Sequence, residues 1–133
     1  CAIYFVGDSS NPCYGASLTI NGDLITALVI PDSVTSIDGY AFYGCTSLES
    51  VEIGDSVTYI GWKAFSGCTS LASVVIPDSV TSIGDDAFWG CTSLETITFT
   101  GTMSQWNSIS KGSLWKYDIP TNKVTCSDGE IKL

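Results

Sequence analysis

Three of the six cysteines recur at a fixed interval, so thiol chemistry is the first possibility to weigh. Cys45, Cys68 and Cys91 stand 23 residues apart. A zinc or redox site built on them would require histidines or a C-x-x-C pair nearby. The chain contains no His and no C-x-x-C pair, which favours the alternative that these are small buried thiols packing as compact hydrophobes. Cys1 and Cys13 lie outside this series and could form a disulfide with each other.

An acidic set recurs at the same interval: Asp32, Asp55 and Asp78. Stacked carboxylates could bind calcium, whereas an aspartate in a turn more often accepts a hydrogen bond from its own backbone. The second interpretation is favoured because the glycine-rich calcium nonapeptide of other β-solenoids is absent. Asp85 and Asp86 are adjacent and would not face each other on a helix, and no base accompanies the serines and threonines. We therefore predict no catalytic residue, no metal and no cofactor.

The cysteines and aspartates recur because a complete 23-residue segment is repeated three times. Residues 31–53, 54–76 and 77–99 align without gaps. Their apolar positions form columns of matched size: Val34, Val57 and Val80; Ile37, Ile60 and Ile83; Phe42, Phe65 and Phe88; Leu48, Leu71 and Leu94; Val51, Val74 and Ile97. A coil this short cannot bury its own apolar face. We therefore expect the coils to stack, so that the columns become a continuous core.

Each coil has three predicted parts. Residues 48–53 alternate as a short strand, and identical strands in register would form a parallel sheet. Residues 33–37 form a second extended piece, with Val34 and Ile37 directed inward. Residues 38–45 place Ala41, Phe42 and Cys45 on one side at helical spacing. They are predicted to form about two turns of α- or 3₁₀-helix, with Gly44 where the helix stops.

The repeated sequence pattern resembles the BspA-like leucine-rich repeats of bacterial surface proteins; it reads I-P-D-S-V-T-S-I-G-x-x-A-F-x-G-C-T-S-L. The likeness covers residues 25–99, with Asp38 in place of Gly in the first repeat and Gly54 in place of Pro in the second. It implies a leucine-rich-repeat solenoid with a short parallel β-sheet on one face and short helical or 3₁₀ turns on the other. It also implies a protein-binding or adhesion module, located at the cell surface or outside the cell.

The sequence divides into three predicted regions. Residues 1–24 are an irregular segment with a hairpin around Asn21-Gly22, a strong two-residue turn signal. Residues 25–99 are the repeats, and residues 100–133 are an irregular C-terminal cap with a further hairpin strand at 123–126. Variant units of the resembled family carry W-x-x-I, as at Trp106, and Cys1-Ala2-Ile3 would complete that motif after an unseen Trp. We therefore expect a piece of a longer array, with residues 1–24 ending a preceding unit; the alternative is a lipid-modified Cys1.

Candidates for binding are the positions that break the repeat, because stacking already explains the residues that recur. On the outer sheet face they are Ser50, Glu52, Ser73, Val75, Thr96 and Thr98. At the turn edge they are Tyr40, Tyr43, Trp62, Lys63, Asp86 and Trp89. Exposed Tyr and Trp are typical of binding hot spots, although Tyr43 and Trp89 could equally cover neighbouring coils.

Charge narrows the choice of partner. The net charge of -9 and the pI near 4.1 disfavour nucleic acid and anionic membranes, and no apolar run approaches the roughly 18 residues of a membrane span. The expected partner is a protein or glycan ligand on a host or neighbouring cell. One alternative is a structural solenoid that self-associates through its ends. Another is glycan binding through Trp62, Trp89, Trp106 and Trp115, which rings gathered on one face would favour and scattered rings would not.

Overall fold

The computed structural model describes residues 19–20 and 23–133, with side chains for 23–133, and the chain winds as a solenoid. The main sheet contains β3 (Ala27–Val29), β5 (Ser50–Glu52), β7 (Ser73–Ile76), β9 (Thr96–Phe99), β11 (Lys123–Cys126) and β12 (Gly129–Lys132). A second sheet contains β4 (Ser36–Ile37), β6 (Tyr59–Ile60), β8 (Ser82–Ile83) and β10 (Ser110–Lys111). The remaining elements are β1 (Thr19–Ile20), β2 (Asp23–Leu24) and the helix α1 (Met103–Ser108).

Both sheets run along the stack of coils. In the main sheet, β3, β5, β7, β9 and β11 are parallel neighbours in that order, and β12 closes one edge antiparallel to β11. Val51 pairs with Val74, which pairs with Ile97, so the strand register equals the repeat length. The predicted parallel sheet is confirmed. The predicted hairpin is confirmed as well, since β1 and β2 pair antiparallel.

The core is a set of ladders made by the repeated apolar columns. Phe42, Phe65 and Phe88 are fully buried, and their rings stack with centroids 5.2 Å apart at both steps and interplanar angles of 12° and 4°. Leu48, Leu71 and Leu94 are also fully buried. Each ring therefore finds apolar partners in the neighbouring coils that its own coil cannot supply.

The third side of each coil is made of turns, and the predicted helix over residues 38–45 is wrong in detail. Consecutive turns close through Ala41 N to Asp38 O, Tyr43 N to Tyr40 O and Cys45 N to Phe42 O. Tyr40 and Gly44 adopt positive φ values of 62° and 71°, which interrupts a right-handed helix. The expectation of a glycine at the end of the segment holds, because Gly67 and Gly90 share this left-handed conformation.

Consecutive turns are held together by backbone bonds from coil to coil. The N–H groups of Tyr40, Phe42 and Gly44 donate to carbonyls of the next coil at 2.8–2.9 Å. We call this side of the solenoid the turn layer, residues 38–45 and their counterparts. Alternate N–H groups of the segment are used between coils, which is why it does not form the helix that its apolar spacing predicts.

One close approach explains a glycine at the entry to the turn layer. The N–H of Gly61 donates to Ile37 O at 2.7 Å. A Cβ on Gly61 would lie 2.4 Å from Gly39 N and 2.6 Å from Asp38 C. Only glycine permits this contact between the first two coils.

Residues 100–133 are more regular than the predicted irregular cap. Thr102 caps α1 through a capping box with Gln105, and Trp106 of this helix packs edge-on against Phe99 at 5.3 Å. The helix lengthens the coil, so that Ser110 pairs with Ser82, 28 residues earlier rather than 23. Both sheets thus continue into this segment. The predicted hairpin strand at 123–126 is confirmed as β11. Among residues 23–133, no helix is long and apolar enough to cross a membrane.

Candidate binding surfaces

The outer face of the main sheet carries two rows of side chains. Strand register places Ser50, Ser73 and Thr96 in one row and Glu52, Val75 and Thr98 in the other. Glu52 and Thr96 are exposed, and the other four are half-buried. All six predicted sheet residues therefore lie side by side. Their side chains are small and carry one charge, so the face is flat and offers few anchors for a ligand.

The turn layer presents a column of left-handed residues. Tyr40, Lys63, Asp86 and Leu114 have φ values of 62°, 53°, 54° and 54°. Such values are uncommon outside glycine and persist where surrounding structure enforces them. Here the N–H groups of Tyr40, Lys63 and Asp86 each donate to a carbonyl of the next coil at 2.9–3.0 Å. The stacking of coils thus fixes where this variable column stands.

Three of the predicted rings meet at the N-terminal end of this layer. The Tyr40 ring lies 4.9 Å from Trp62, edge-on at 77°, and 5.3 Å from Tyr43. Lys63 Nζ lies 5.2 Å from the centre of the Trp62 ring, within the range of a cation–π contact. Trp62 nevertheless remains 48% exposed. We call Tyr40, Tyr43 and Trp62 the N-terminal aromatic cluster.

A second aromatic surface lies farther along the same layer. Trp89 stacks on Tyr117 with centroids 6.2 Å apart and an interplanar angle of 11°. Trp89 is 42% exposed and Tyr117 55%, and the nearby Leu114 is 57% exposed. Tyr117 and Leu114 were not predicted from the sequence, because they follow the last exact repeat. Aligning Leu114 and Tyr117 with Asp86 and Trp89 at an offset of 28 would have found both.

The four tryptophans do not gather on one face. Trp106 and Trp115 are buried, with 2% and 6% exposure, and their rings lie 5.8 Å apart. Trp115 also packs edge-on against Phe88 at 6.4 Å, so it covers the end of the phenylalanine stack. Only Trp62 and Trp89 reach the surface, in separate clusters. The arrangement that would favour a four-tryptophan glycan site is therefore absent.

The three cysteines that recur with the repeat, Cys45, Cys68 and Cys91, have a structural role, but only two of them are the free buried thiols that were predicted. Cys45 is disulfide-bonded, so its prediction as a free thiol is wrong; the predicted Cys1–Cys13 pair lies outside the described residues. Cys68 and Cys91 are free and buried, and their thiols donate to the carbonyls of Phe42 and Phe65, both at 3.1 Å. These bonds satisfy the thiols within the stack.

Burial also suppresses thiol reactivity. It raises the pKa of Cys68 from its ordinary value of 9.0 to about 12. The pKa of Cys91 is raised as well, first by burial and then by the nearby Cys68. A nucleophile or metal ligand needs the thiolate, so neither thiol is prepared for such chemistry at neutral pH.

One member of the aspartate column bonds backbone of the neighbouring coil, since Asp32 Oδ1 accepts from the N–H of Asp55 at 3.0 Å. For Asp32, this bond replaces the expected bond within the same turn. Asp85, which lies outside the column, makes a similar bond, because its Oδ1 accepts from the N–H of Ser113 at 2.7 Å. In the part of the chain with described side chains, no group of three or more His, Cys, Asp or Glu is placed to hold a metal ion.

The family model for the BspA type leucine rich repeat region matches residues 20–130 with six copies. No curated protein sequence matches the chain.

Two solved structures are similar. A leucine rich repeat protein of T. pallidum, TpLRR, has 32% identity and a TM-score of 0.58 over 70% of this chain and 54% of that one. A leucine rich cell surface protein of Faecalibacterium prausnitzii has 28% identity and a TM-score of 0.42 over 65% of this chain and 35% of that one. The chain therefore spans about half of the first protein and about a third of the second. Matched along most of its length by the family model, and folded as stacked coils, the chain belongs to the BspA-type leucine-rich-repeat family.

Proposed function

We propose that this chain is a protein-binding module that engages its partner through the turn layer. The observation that carries the proposal is the exposure of three large rings, Trp62, Trp89 and Tyr117, at 48%, 42% and 55%. Large rings left in water become anchors when a partner desolvates them. The outer face of the main sheet supplies no comparable ring, so the turn layer is the better candidate of these two surfaces.

The charge of the chain supports a neutral or basic partner. The net charge is -9, and four of the five lysines follow residue 110. An acidic surface slows the approach of other acidic molecules and of nucleic-acid phosphates. Lys63 lies against Trp62, so the N-terminal aromatic cluster combines a cation with apolar rings and is suited to a mixed interface.

A non-catalytic role at the cell surface or outside the cell completes the proposal. The sequence has no His, which is the commonest general base. Burial keeps Cys68 and Cys91 protonated, so neither thiol is activated as a nucleophile. Membership of the BspA-type leucine-rich-repeat family supports this location. Adhesion to a host or neighbouring cell is the role we propose for such a surface.

The test compares the two surfaces by substitution. Purified full chain would be passed over immobilised extracellular-matrix proteins in surface plasmon resonance, and a glycan array would be probed in parallel. For a matrix protein that binds, we expect Trp62→Ala or Tyr117→Ala to weaken affinity by about tenfold or more, since hot-spot truncations cost at least about 2 kcal/mol.

The matched controls are Thr96→Ala and Thr98→Ala on the sheet face, which should change affinity by less than about twofold. If Thr96→Ala or Thr98→Ala abolished binding while Trp62→Ala and Tyr117→Ala did not, the binding site would lie on the sheet face and not on the turn layer. Binding to glycans alone would replace the protein partner with a carbohydrate.

A further inference from the structure

The last coil, residues 100–126, ends differently on its three sides. In the main sheet its strand β11 does not expose an edge, because β12 pairs with it along its whole length from Lys123–Lys132 to Cys126–Gly129. A lysine and a glutamate on this hairpin, Lys123 and Glu130, join at 2.8 Å. Antiparallel closure of this kind prevents another parallel strand from continuing the register.

The second sheet ends in a lysine. In the regular coils, the carbonyls of Thr35 and Thr58 accept N–H groups from the next coil, and Thr81 O accepts from Ser110 N at 3.1 Å. Ile109 holds the corresponding carbonyl of the last coil, and there Lys111 Nζ donates to it at 3.2 Å while also donating to Trp106 O at 2.8 Å. The ammonium group thus takes the place of the next strand.

The turn layer, by contrast, ends with unused donors. In the described part of the chain, each of the three earlier coils donates three N–H groups to the next coil at 2.8–3.0 Å, as Asp86, Phe88 and Gly90 do to Ser113, Trp115 and Tyr117. Three residues hold the matching donors of the last coil: Leu114, Lys116 and Asp118. All three residues are exposed, and their N–H groups have no acceptor among the described residues. We call 114–118 the donor edge.

Side chains give this edge an apolar groove. Residues 114–118 line a groove of about 370 Å³. Leu114 and Tyr117 are 57% and 55% exposed, and Trp115 is buried at 6%. Lys116 and Asp118 bring one charge of each sign, so the groove itself is nearly neutral within an acidic chain. It suits an apolar or aromatic segment better than an acidic one.

Complementarity of charge decides the occupant. The donor edge shows N–H donors on three alternate residues, so two such edges facing each other in a symmetric dimer could not pair these groups with one another and would leave all of them without an acceptor. A complete further coil is obstructed, because β12 and Lys111 already occupy its places in both sheets. The donor edge can therefore accept one segment of about the length of a single turn, whose carbonyls on alternate residues face the three N–H groups.

We propose that the donor edge is a docking site for a short, neutral or basic peptide segment of a partner protein, whose carbonyls accept from Leu114, Lys116 and Asp118. An apolar or aromatic side chain of that segment packs in the groove beside Leu114 and Tyr117. The site does not involve the N-terminal aromatic cluster, but it shares Tyr117 with the binding surface proposed above and rests on that proposal at this end of the turn layer. The amide signals of 114–118 test the donor edge alone, whereas Trp62→Ala tests the proposed function without it.

The test uses a probe taken from the chain itself. The capped peptide of residues 61–67, Gly-Trp-Lys-Ala-Phe-Ser-Gly, carries the carbonyls that Tyr40, Phe42 and Gly44 bind inside the solenoid. Titrated into ¹⁵N-labelled full chain, it should shift the amide signals of Leu114, Lys116 and Asp118 together and slow their exchange with solvent. The enantiomeric D-peptide, equal in composition, should leave these signals unchanged.

Two variants at one position separate backbone from side chain. Lys116→Pro removes the middle donor and should weaken peptide binding at least about fivefold, the factor that one net hydrogen bond is worth. Lys116→Ala keeps that N–H and should bind within about twofold of the unchanged chain.

Three results would overturn the proposal. One is equal binding of the L- and D-peptides, which needs no variant to fold. Another is a set of shifts confined to signals outside 114–118. The third is concentration-dependent broadening of the three amides without peptide, together with growth in sedimentation, which would make a second copy of the chain the occupant.

Discussion

The regular coils and the segment after Phe99 share the same coil-to-coil backbone hydrogen bonds but carry different side chains. In the coils, like residues meet like, and the phenylalanine rings stack nearly parallel at 5.2 Å. In the last coil an inserted helix changes the offset from 23 to 28 residues, and Trp115 meets Phe88 edge-on at 78°. The ladder of backbone bonds continues across this change. Coil-to-coil hydrogen bonding therefore propagates the solenoid even where the repeated side chains stop.

The largest expected effect removes a ring from the middle of the stack. Phe65 is fully buried between Phe42 and Phe88, so Phe65→Ala should lower the free energy of unfolding by about 3–5 kcal/mol. Urea denaturation followed by circular dichroism measures this change. As a control, Tyr117→Ala in the last coil should cost only about 1 kcal/mol, because that ring is 55% exposed and loses mainly its stacking on Trp89. Equal costs would mean that the phenylalanine ladder does not stabilise the regular coils.

Alkaline pH should weaken the regular coils through the cysteine column. Burial raises the pKa of Cys68 from 9.0 to about 12, so its contribution to stability is complete below 9.0 and is lost as the pH rises toward 12. The loss amounts to at most about 4 kcal/mol. Urea denaturation below pH 9.0 and near pH 12 measures it.

The control for this pH effect is Cys68→Ala, which removes the titrating thiol and leaves the tyrosines and lysines in place. Its stability should fall less over the same range. In the last coil Ile119 follows Asp118 as Cys91 follows Gly90, so the last coil has no thiol at this position. An equal fall in both proteins would show that thiol burial does not link stability to pH.

Contact between the first two coils should be sensitive to a single methyl group. In Gly61→Ala, the new Cβ would lie 2.4 Å from the backbone nitrogen of Gly39, and we expect a loss of about 3 kcal/mol. Gly67→Ala is the matched control, because its nearest atoms are 3.8 Å away and its cost comes from a φ of +74°, about 1–2 kcal/mol. Thermal unfolding of both variants would rank them, and the reverse order would refute the close approach.

The smallest expected effect concerns the C-terminal ends of the sheets. Lys111→Met removes two bonds to carbonyls and a cation 4.8 Å above Trp106, at a cost of about 1–2 kcal/mol given that the side chain is partly in solvent. Lys123→Ala removes an equal charge from an ion pair that is about half exposed and should cost about 0.5 kcal/mol or less. Differential scanning calorimetry measures the loss of stability in each variant. Equal losses would show that Lys111 does not cap the end of the second sheet.

Much of this fold was predictable because repetition leaves little freedom. Identical coils that stack in register must place Phe42, Phe65 and Phe88 together, and the aligned apolar columns of the sequence predict that ladder of rings. The helix over 38–45 was predicted wrongly because its apolar spacing suits a helix as well as a series of turns. What decides between them is that Tyr40 and Gly44 take left-handed conformations and that alternate N–H groups, those of Tyr40, Phe42 and Gly44, bond the next coil. One coil alone does not reveal this.

The candidate surface was predictable in part. The six turn-edge residues named from the sequence do lie on the turn layer, and Trp62 and Trp89 are exposed as expected of binding anchors. Tyr117 and Leu114 were missed, because the inserted helix hides their alignment with the earlier coils. Trp106 and Trp115 were grouped with the surface tryptophans, yet both are buried where the stack needs a cover.

The amino-acid sequence by itself determined that the coils stack, their register and the identity of the core columns, because each side chain meets its own counterpart one repeat away. Tertiary structure alone decided which aromatic rings face water and how each side of the last coil ends. Those outcomes depend on which neighbour covers a residue, and beyond Phe99 the neighbour is no longer a copy of the coil before it.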